Sequence, residues 1–244
     1  MNSGNGRPLG PGVRGPNIAA RALWGAAGYP GQVLTEEERS QLAVISTVAR
    51  FGKGELLYRK GDHADAVFNL IGGVVKSYKT QENGLPHIAD FLFPDDLIGL
   101  SEEGRYVNTA EAITAVSAYR IPTSALEARL RKNATLEFNV ICKLCHELRE
   151  AQRHAFLLTR RHALAKVGLF LELLESLQAG RGEHTDEIYV PMTRTDIGNY
   201  IGTSLEAVSR SLRALAARGI IGFRNRHHIK ILDRAGLAAV VAEN

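Results

Sequence analysis

Cysteine is almost missing from this chain. Of its 244 residues only Cys142 and Cys145 are cysteines, too few for a disulfide framework and without the further Cys or His ligands of a structural zinc site. A reducing, cytoplasmic setting is therefore expected. Aromatic residues are sparse at 7%, and no uninterrupted apolar run approaches the roughly 18–20 residues that a membrane span requires, so no membrane partner is expected. Also absent are a P-loop, a dinucleotide-binding fingerprint, a nucleophile elbow and a metal-ligand cluster, and with them the common signs of an enzyme. The first 35 residues contain no acid at all. They hold Arg7, Arg14 and Arg21, four of the eight prolines, and eight glycines between Gly4 and Gly31. Gly and Pro interrupt every candidate signal or transit helix, and residues 1–34 read as a disordered arm, with a weak contact to an anionic surface as the alternative.

What remains is ordinary globular composition, 45% hydrophobic and 23% charged, with 30 basic against 26 acidic residues. The length allows one or two domains with real cores. Thr35-Glu36-Glu37-Glu38 looks like an N-cap followed by acids at the positive end of a helix dipole, and predicts a helix running to about Val48. From Phe51 to Ile121 short Val/Ile/Leu/Phe/Tyr segments alternate with glycines and turn pairs, among them Asn83-Gly84 and Pro94-Asp95-Asp96. That spacing predicts an antiparallel barrel or sandwich of about seventy residues, within an N-terminal domain taken as 35–122. The fold class expected is α+β.

After Pro122 the pattern turns helical, with no Gly or Pro between Ala134 and Leu158. Within this long helix, assigned to a segment 123–159, Ile141, Leu144, Leu148, Ala151, Ala155 and Leu158 repeat at alternating spacings of three and four. A helix packed on its own core and a coiled-coil seam of a homodimer are both compatible with that stripe. Lys143, Glu147, Glu150 and Arg153 on the other side suggest a hydrated face, which favours the dimer. A second helix is expected from Arg161 to Gln178, ending in a loop at Ala179-Gly180-Arg181-Gly182, within a winged helix over 160–244.

Its most informative segment is MTRTDIGNYIGTSLEAVSRSLRALAARGII, residues 192–221. Thr193 can cap a first helix with Asp196 at its third position, Gly202 permits the sharp turn, and Ser204 can cap a second helix whose Val208, Leu212 and Leu215 face the core. Glu206, Ser209, Arg210 and Arg213 then share the outer face of a recognition helix. Arg can fork onto guanine, Glu can accept from a cytosine amino group, and Ser adapts to either. A plain surface ion pair between Glu206 and Arg210 is the competing explanation. From Ser204 to Leu232, however, six bases stand against one acid, which favours double-stranded DNA as partner. Phe223 to His228 reads as a wing loop, with Arg224 and Arg226 on the phosphate backbone.

These motifs, with GKGELLYRKGDHADAVFNLIGGVVKSY and FLFPDDLIGL, resemble the bacterial CRP/FNR transcription regulators over about residues 35–240. The resemblance implies a sensory β-roll, a dimerisation helix, a C-terminal winged helix, and contact with RNA polymerase. Glu206-x-x-Ser209-Arg210 looks like the FNR branch signature, implying TTGA-type half-sites with Arg210 on guanine and Glu206 and Ser209 on neighbouring bases. Thr193, Arg194, Ser204 and Arg213 fall at positions implied to meet the DNA backbone. The sensor half departs from its relatives. Leu100 follows Gly99 where a cyclic-nucleotide site needs Glu, and Tyr106 to Ala110 contains no Arg for the phosphate. Residues 1–141 hold no cysteine, so the iron-sulfur ligands are missing. Cys142 and Cys145 read as small buried residues, with a redox or metal role as the alternative. His63, His87, His146, His154, His227 and His228 match no haem motif, and haem stays open as a ligand-gated alternative. Asp95 replaces the Gly usual in the family's Pro-Gly-Asp turn. No cofactor is expected, which resembles the FixK-like regulators. The function implied is an activator acting on redox, oxygen or nitrogen-oxide metabolism.

Overall fold

The computed structural model describes residues 42–82, 84–94, 96–180 and 187–243. The arm at 1–34, the Thr35 helix start, Asn83, Asp95, the loop at 181–182 and the side chain of His146 lie outside the described residues. Among the described residues this helix covers only 42–44. The expectation of helix to Val48 is corrected, because Thr47 and Val48 pair with Arg120 and Tyr119 in a strand ladder. β-branched side chains at that point favour the pleated edge over another helical turn.

Among the described residues eight strands build the N-terminal half. They are β1 (Thr47–Phe51), β2 (Leu56–Tyr58), β3 (Ala66–Gly72), β4 (Val75–Thr80), β5 (Pro86–Leu92), β6 (Leu97–Ile98), β7 (Thr109–Ala112) and β8 (Val116–Pro122). They form two four-stranded antiparallel sheets, ordered β1-β8-β3-β6 and β2-β7-β4-β5. Phe68, Leu70, Val75, Leu92, Ala112 and Val116 fill the space between them. The tight turn from β3 to β4 needs glycine, since Gly73 has φ +85° and a Cβ there would strike the Ala115 carbonyl.

The helical segment that begins at Thr123 breaks once, correcting the single helix expected over 123–159. Helix α1 spans Thr123–Leu130 and α2 spans Ala134–Leu158. Between them Asn133 caps α2, its side chain accepting from Leu136 N at 3.0 Å. The faces of α2 also differ from the expected division. Lys143 is buried and paired with Asp96 at 3.2 Å, and burial pushes the Glu147 carboxyl up to about 7 despite the pull of Lys143. Only Arg153 of the four polar residues lies in the open, 2.9 Å from Glu150. Ion pairing with the β-roll is what allows this polar face to be packed. Conversely, Ile141, Leu144, Leu148, Ala151 and Ala155 are exposed, whereas Leu158 joins the chain's own core. Cys145 is exposed and Cys142 half-buried, so neither is the buried apolar residue expected.

The C-terminal half contains α3 (Ala163–Gly180), β9 (Ile188–Tyr189), α4 (Arg194–Ile201), α5 (Leu205–Ala217), β10 (Ile221–Asn225), β11 (His228–Ile231) and α6 (Arg234–Ala242). Strands β10, β11 and β9 make a small antiparallel sheet, the wing. One hydrophobic cluster spans both halves, joining Val74, Ile88, Phe91 and Phe93 of the β-roll to Phe170, Tyr200, Val208 and Leu212. The reading domain is thus packed against its own β-roll.

Candidate nucleic-acid interface

Helix α4 starts at a complete capping box. Thr193 Oγ1 accepts from Asp196 N at 3.0 Å, and Thr193 N donates to Asp196 Oδ2 at 3.2 Å. It ends at Gly202, where φ +66° turns the chain into the left-handed region. The buried ammonium of Lys166 on α3 donates to Gly202 O at 3.3 Å, placing a cation at the negative end of the helix dipole. Burial lowers the Lys166 pKa below its ordinary value. Gly198 lets α5 come close, since a Cβ there would lie 2.7 Å from Thr203 O. Ser204 then caps α5, accepting from Ala207 N at 3.2 Å.

Val208, Leu212 and Leu215 sit in the core, so the rotation of α5 is fixed. Glu206, Arg210 and Arg213 stand exposed on the opposite side, with Ser209 half-buried among them. No ion pair between Glu206 and Arg210 occurs among the described residues, and both side chains are exposed. Hydrogen bonds from its own backbone N–H and from Ser204, with the nearby Arg210 charge, hold the Glu206 carboxyl below its usual range. Arg213 Nε donates back to Ser209 O at 3.2 Å. Thr193 is exposed although its hydroxyl serves the cap, and Arg194 is half-buried, with burial lowering its pKa.

In the wing, Arg224 is paired with Glu187 at 3.0 Å, whereas no such contact engages Arg226 among the described residues. His227 and His228 are tied inward: His227 Nδ1 lies 3.1 Å from Val190 O, and His228 Nδ1 lies 3.0 Å from Asn225 Oδ1. One residue escaped the sequence reading. Leu205, 43% exposed beside Glu206, keeps the three-residue spacing to Val208 that marks core positions. It stands out only because the first turn of α5 projects beyond that core. Phe223, expected in the wing loop, lies instead in strand β10 and is exposed.

The family models match this division of the chain. A Crp-like helix-turn-helix domain matches residues 155–240, and a cyclic nucleotide-binding domain matches residues 48–133. Transcriptional activator protein FnrA of Stutzerimonas stutzeri is 30% identical over 190 residues, which is 77% of this chain and 78% of that protein. The chain belongs to the CRP/FNR family of transcription regulators. Nitrogen fixation regulation protein FixK of Bradyrhizobium diazoefficiens is 32% identical over 193 residues, covering 79% of this chain and 81% of that one. The solved structure of FixK2 from Bradyrhizobium japonicum superposes with a TM-score of 0.76 at 31% identity, covering 82% of this chain and 99% of that chain. This CRP/FNR regulator is a FixK-like, DNA-binding transcription regulator, and its family is not one of enzymes.

Around Gly99, where a β-roll of this family would hold a cyclic nucleotide, the side chains are closely packed. A Cβ at Gly99 would lie 3.1 Å from both Ala66 O and the Tyr106 ring. Tyr58 stacks on Tyr106 with centroids 3.9 Å apart, and Tyr106 Oη donates to Ala66 O at 2.7 Å. Packed aromatic rings fill the space beneath Gly99, and neither a Glu at 100 nor an Arg within 106–110 supplies the charges such a ligand needs.

Proposed function

We propose that this regulator acts as a homodimer on a pseudo-palindrome of TTGA-type half-sites, with centres one helical turn, about 10 bp, apart. The observation that carries the reading is the capped recognition helix, with Glu206, Ser209 and Arg210 grouped on its uncovered face. Arg210 forks onto guanine, and Glu206 and Ser209 read the neighbouring bases. Thr193, Arg194, Ser204 and Arg213, with Arg224 and Arg226 of the wing, meet phosphates. The exposed stripe of Ile141, Leu144, Leu148, Ala151 and Ala155 supports pairing of α2 with α2 of a second copy, because so regular an apolar seam is costly to leave in water.

The regulator works without a cyclic nucleotide or an iron-sulfur cluster, and it activates transcription through contact with RNA polymerase in the cytoplasm. Its targets belong to redox, oxygen or nitrogen-oxide metabolism. The printed names of FnrA as an activator and FixK as a nitrogen-fixation regulator support that direction. The test is Arg210→Ala measured on specific and random duplexes. Specific affinity falls by about 1–3 kcal/mol with relaxed base preference, and random-sequence affinity changes little. Equal loss on both duplexes refutes the role of Arg210.

A further inference from the structure

We infer that Lys76 is a positioning residue for DNA recognition: from the β-roll it grips the first helix of the helix-turn-helix by its N-terminus, and so sets where each recognition helix stands in the dimer. The inference rests on the homodimeric reading above. Lys76 Nζ lies 3.2 Å from Glu111 Oε1 and 3.3 Å from Asp196 Oδ1. Glu111 is its cross-strand partner on β7, so the sheet itself holds the ammonium in place. Tyr78 Oη adds a hydrogen bond to the other Glu111 oxygen at 3.2 Å. Asp196, in turn, uses Oδ2 to close the capping box with Thr193. The carboxylate that starts α4 is therefore also the one that the β-roll holds, 120 positions away in sequence.

The far end of α4 is held as well, by the β-roll, by α2 and by α3. Tyr200 packs on Phe91 at 5.0 Å and on His154 of α2 at 3.9 Å, and Lys166 reaches Gly202 O. A helix fixed at both ends has a fixed direction, and α5 follows it through the tight turn at Gly202. Releasing the N-terminal grip leaves the C-terminal contacts as a pivot at the end of a lever of about 12 Å, eight residues at 1.5 Å each. This docking leaves Glu206, Arg210 and Arg213 exposed, so it aims the recognition surface and does not mask it. Aim matters little to one half-site and greatly to two, because the second contact gains avidity only when the geometry permits both.

The experiment compares wild type, Lys76→Met and Lys76→Arg on three duplexes: the palindrome, the palindrome with its spacer lengthened by about 3 bp, and a single half-site, with thermal midpoints measured alongside. Lys76→Met keeps the aliphatic stem and leaves two carboxylates facing each other without their cation. Its affinity for the palindrome falls by about tenfold, its preference for the correct spacer falls by a similar factor, and its half-site affinity stays near wild type. Lys76→Arg restores the spacer preference. A Met variant that weakens on palindrome and half-site alike, with spacer preference intact, overturns the inference, as does one indistinguishable from wild type. If Lys76→Met does not fold, Lys76→Gln replaces it with the same expectations. A wild-type protein that ignores the spacer overturns the dimeric reading itself, and the inference with it.

Discussion

His154 of the long helix lies flat against Tyr200 of the helix-turn-helix, with ring centroids 3.9 Å apart, planes 3° from parallel, and Nε2 2.8 Å from the Tyr200 carbonyl oxygen. Burial lowers the His154 pKa, so the neutral ring, donating from Nε2, is the form that fits. This contact couples the seam helix to the reading domain. His154→Ala removes a stacked pair and a buried hydrogen bond, and is expected to cost about 1–3 kcal/mol in a denaturant-midpoint measurement. Unchanged stability would show that the stack contributes nothing.

On the same helix, Glu147 gives the protein a pH dependence. Burial pushes its carboxyl up from 4.5 to about 7, with Lys143 opposing and Asp96 adding to the rise. A raised folded-state value means that the contribution to stability is full below the unfolded value near 4.5. It is lost as pH rises through about 7, because the buried carboxylate must then ionise. Glu147→Gln is therefore expected to raise the thermal midpoint at pH 8, with the gain fading by pH 4.5. A gain that grows toward acid pH contradicts this sign.

Much of this was legible in the sequence, for reasons that residue type makes plain. The capping box at Thr193 and Asp196, the turn at Gly202 and the cap at Ser204 depend on local chemistry, and they stand where the spacing predicts. The long helix over Ala134–Leu158 was equally open to reading, since nothing in it breaks helix. What escaped were contacts between distant segments. Lys143, Glu147 and Glu150 look hydrated until the β-roll supplies Asp96 and a wall to bury them. Lys76 and Asp196 carry no local sign of each other, and Leu205 shares the spacing of the core.

The two wing arginines are expected to differ, although the sequence treats them alike. Arg224 is already paired with Glu187 at 3.0 Å, so exchanging that carboxylate for a phosphate gains little. Arg226→Ala should weaken binding to all sequences and flatten the salt dependence by about one unit of slope, and Arg224→Ala should do so less. Titrations across a range of salt concentrations distinguish them, and a larger effect at Arg224 would contradict the assignment.

Leu148 is 61% exposed midway along the apolar stripe of α2. Placing a charge there sets two carboxylates together at any seam between copies. Leu148→Glu is expected to yield a folded monomer by sedimentation, with affinity for the palindrome reduced on the order of a hundredfold. A dimer that persists would place the interface elsewhere.

Whether the homodimer reads TTGA-type half-sites without a ligand is decided by equilibrium binding of the purified, ligand-free wild-type protein, in air and at about 150 mM salt, to a TTGA-N6-TCAA duplex and to a scrambled control. Tight binding selective for the palindrome is the predicted result. Weak and unselective binding by a well-folded dimer would contradict it.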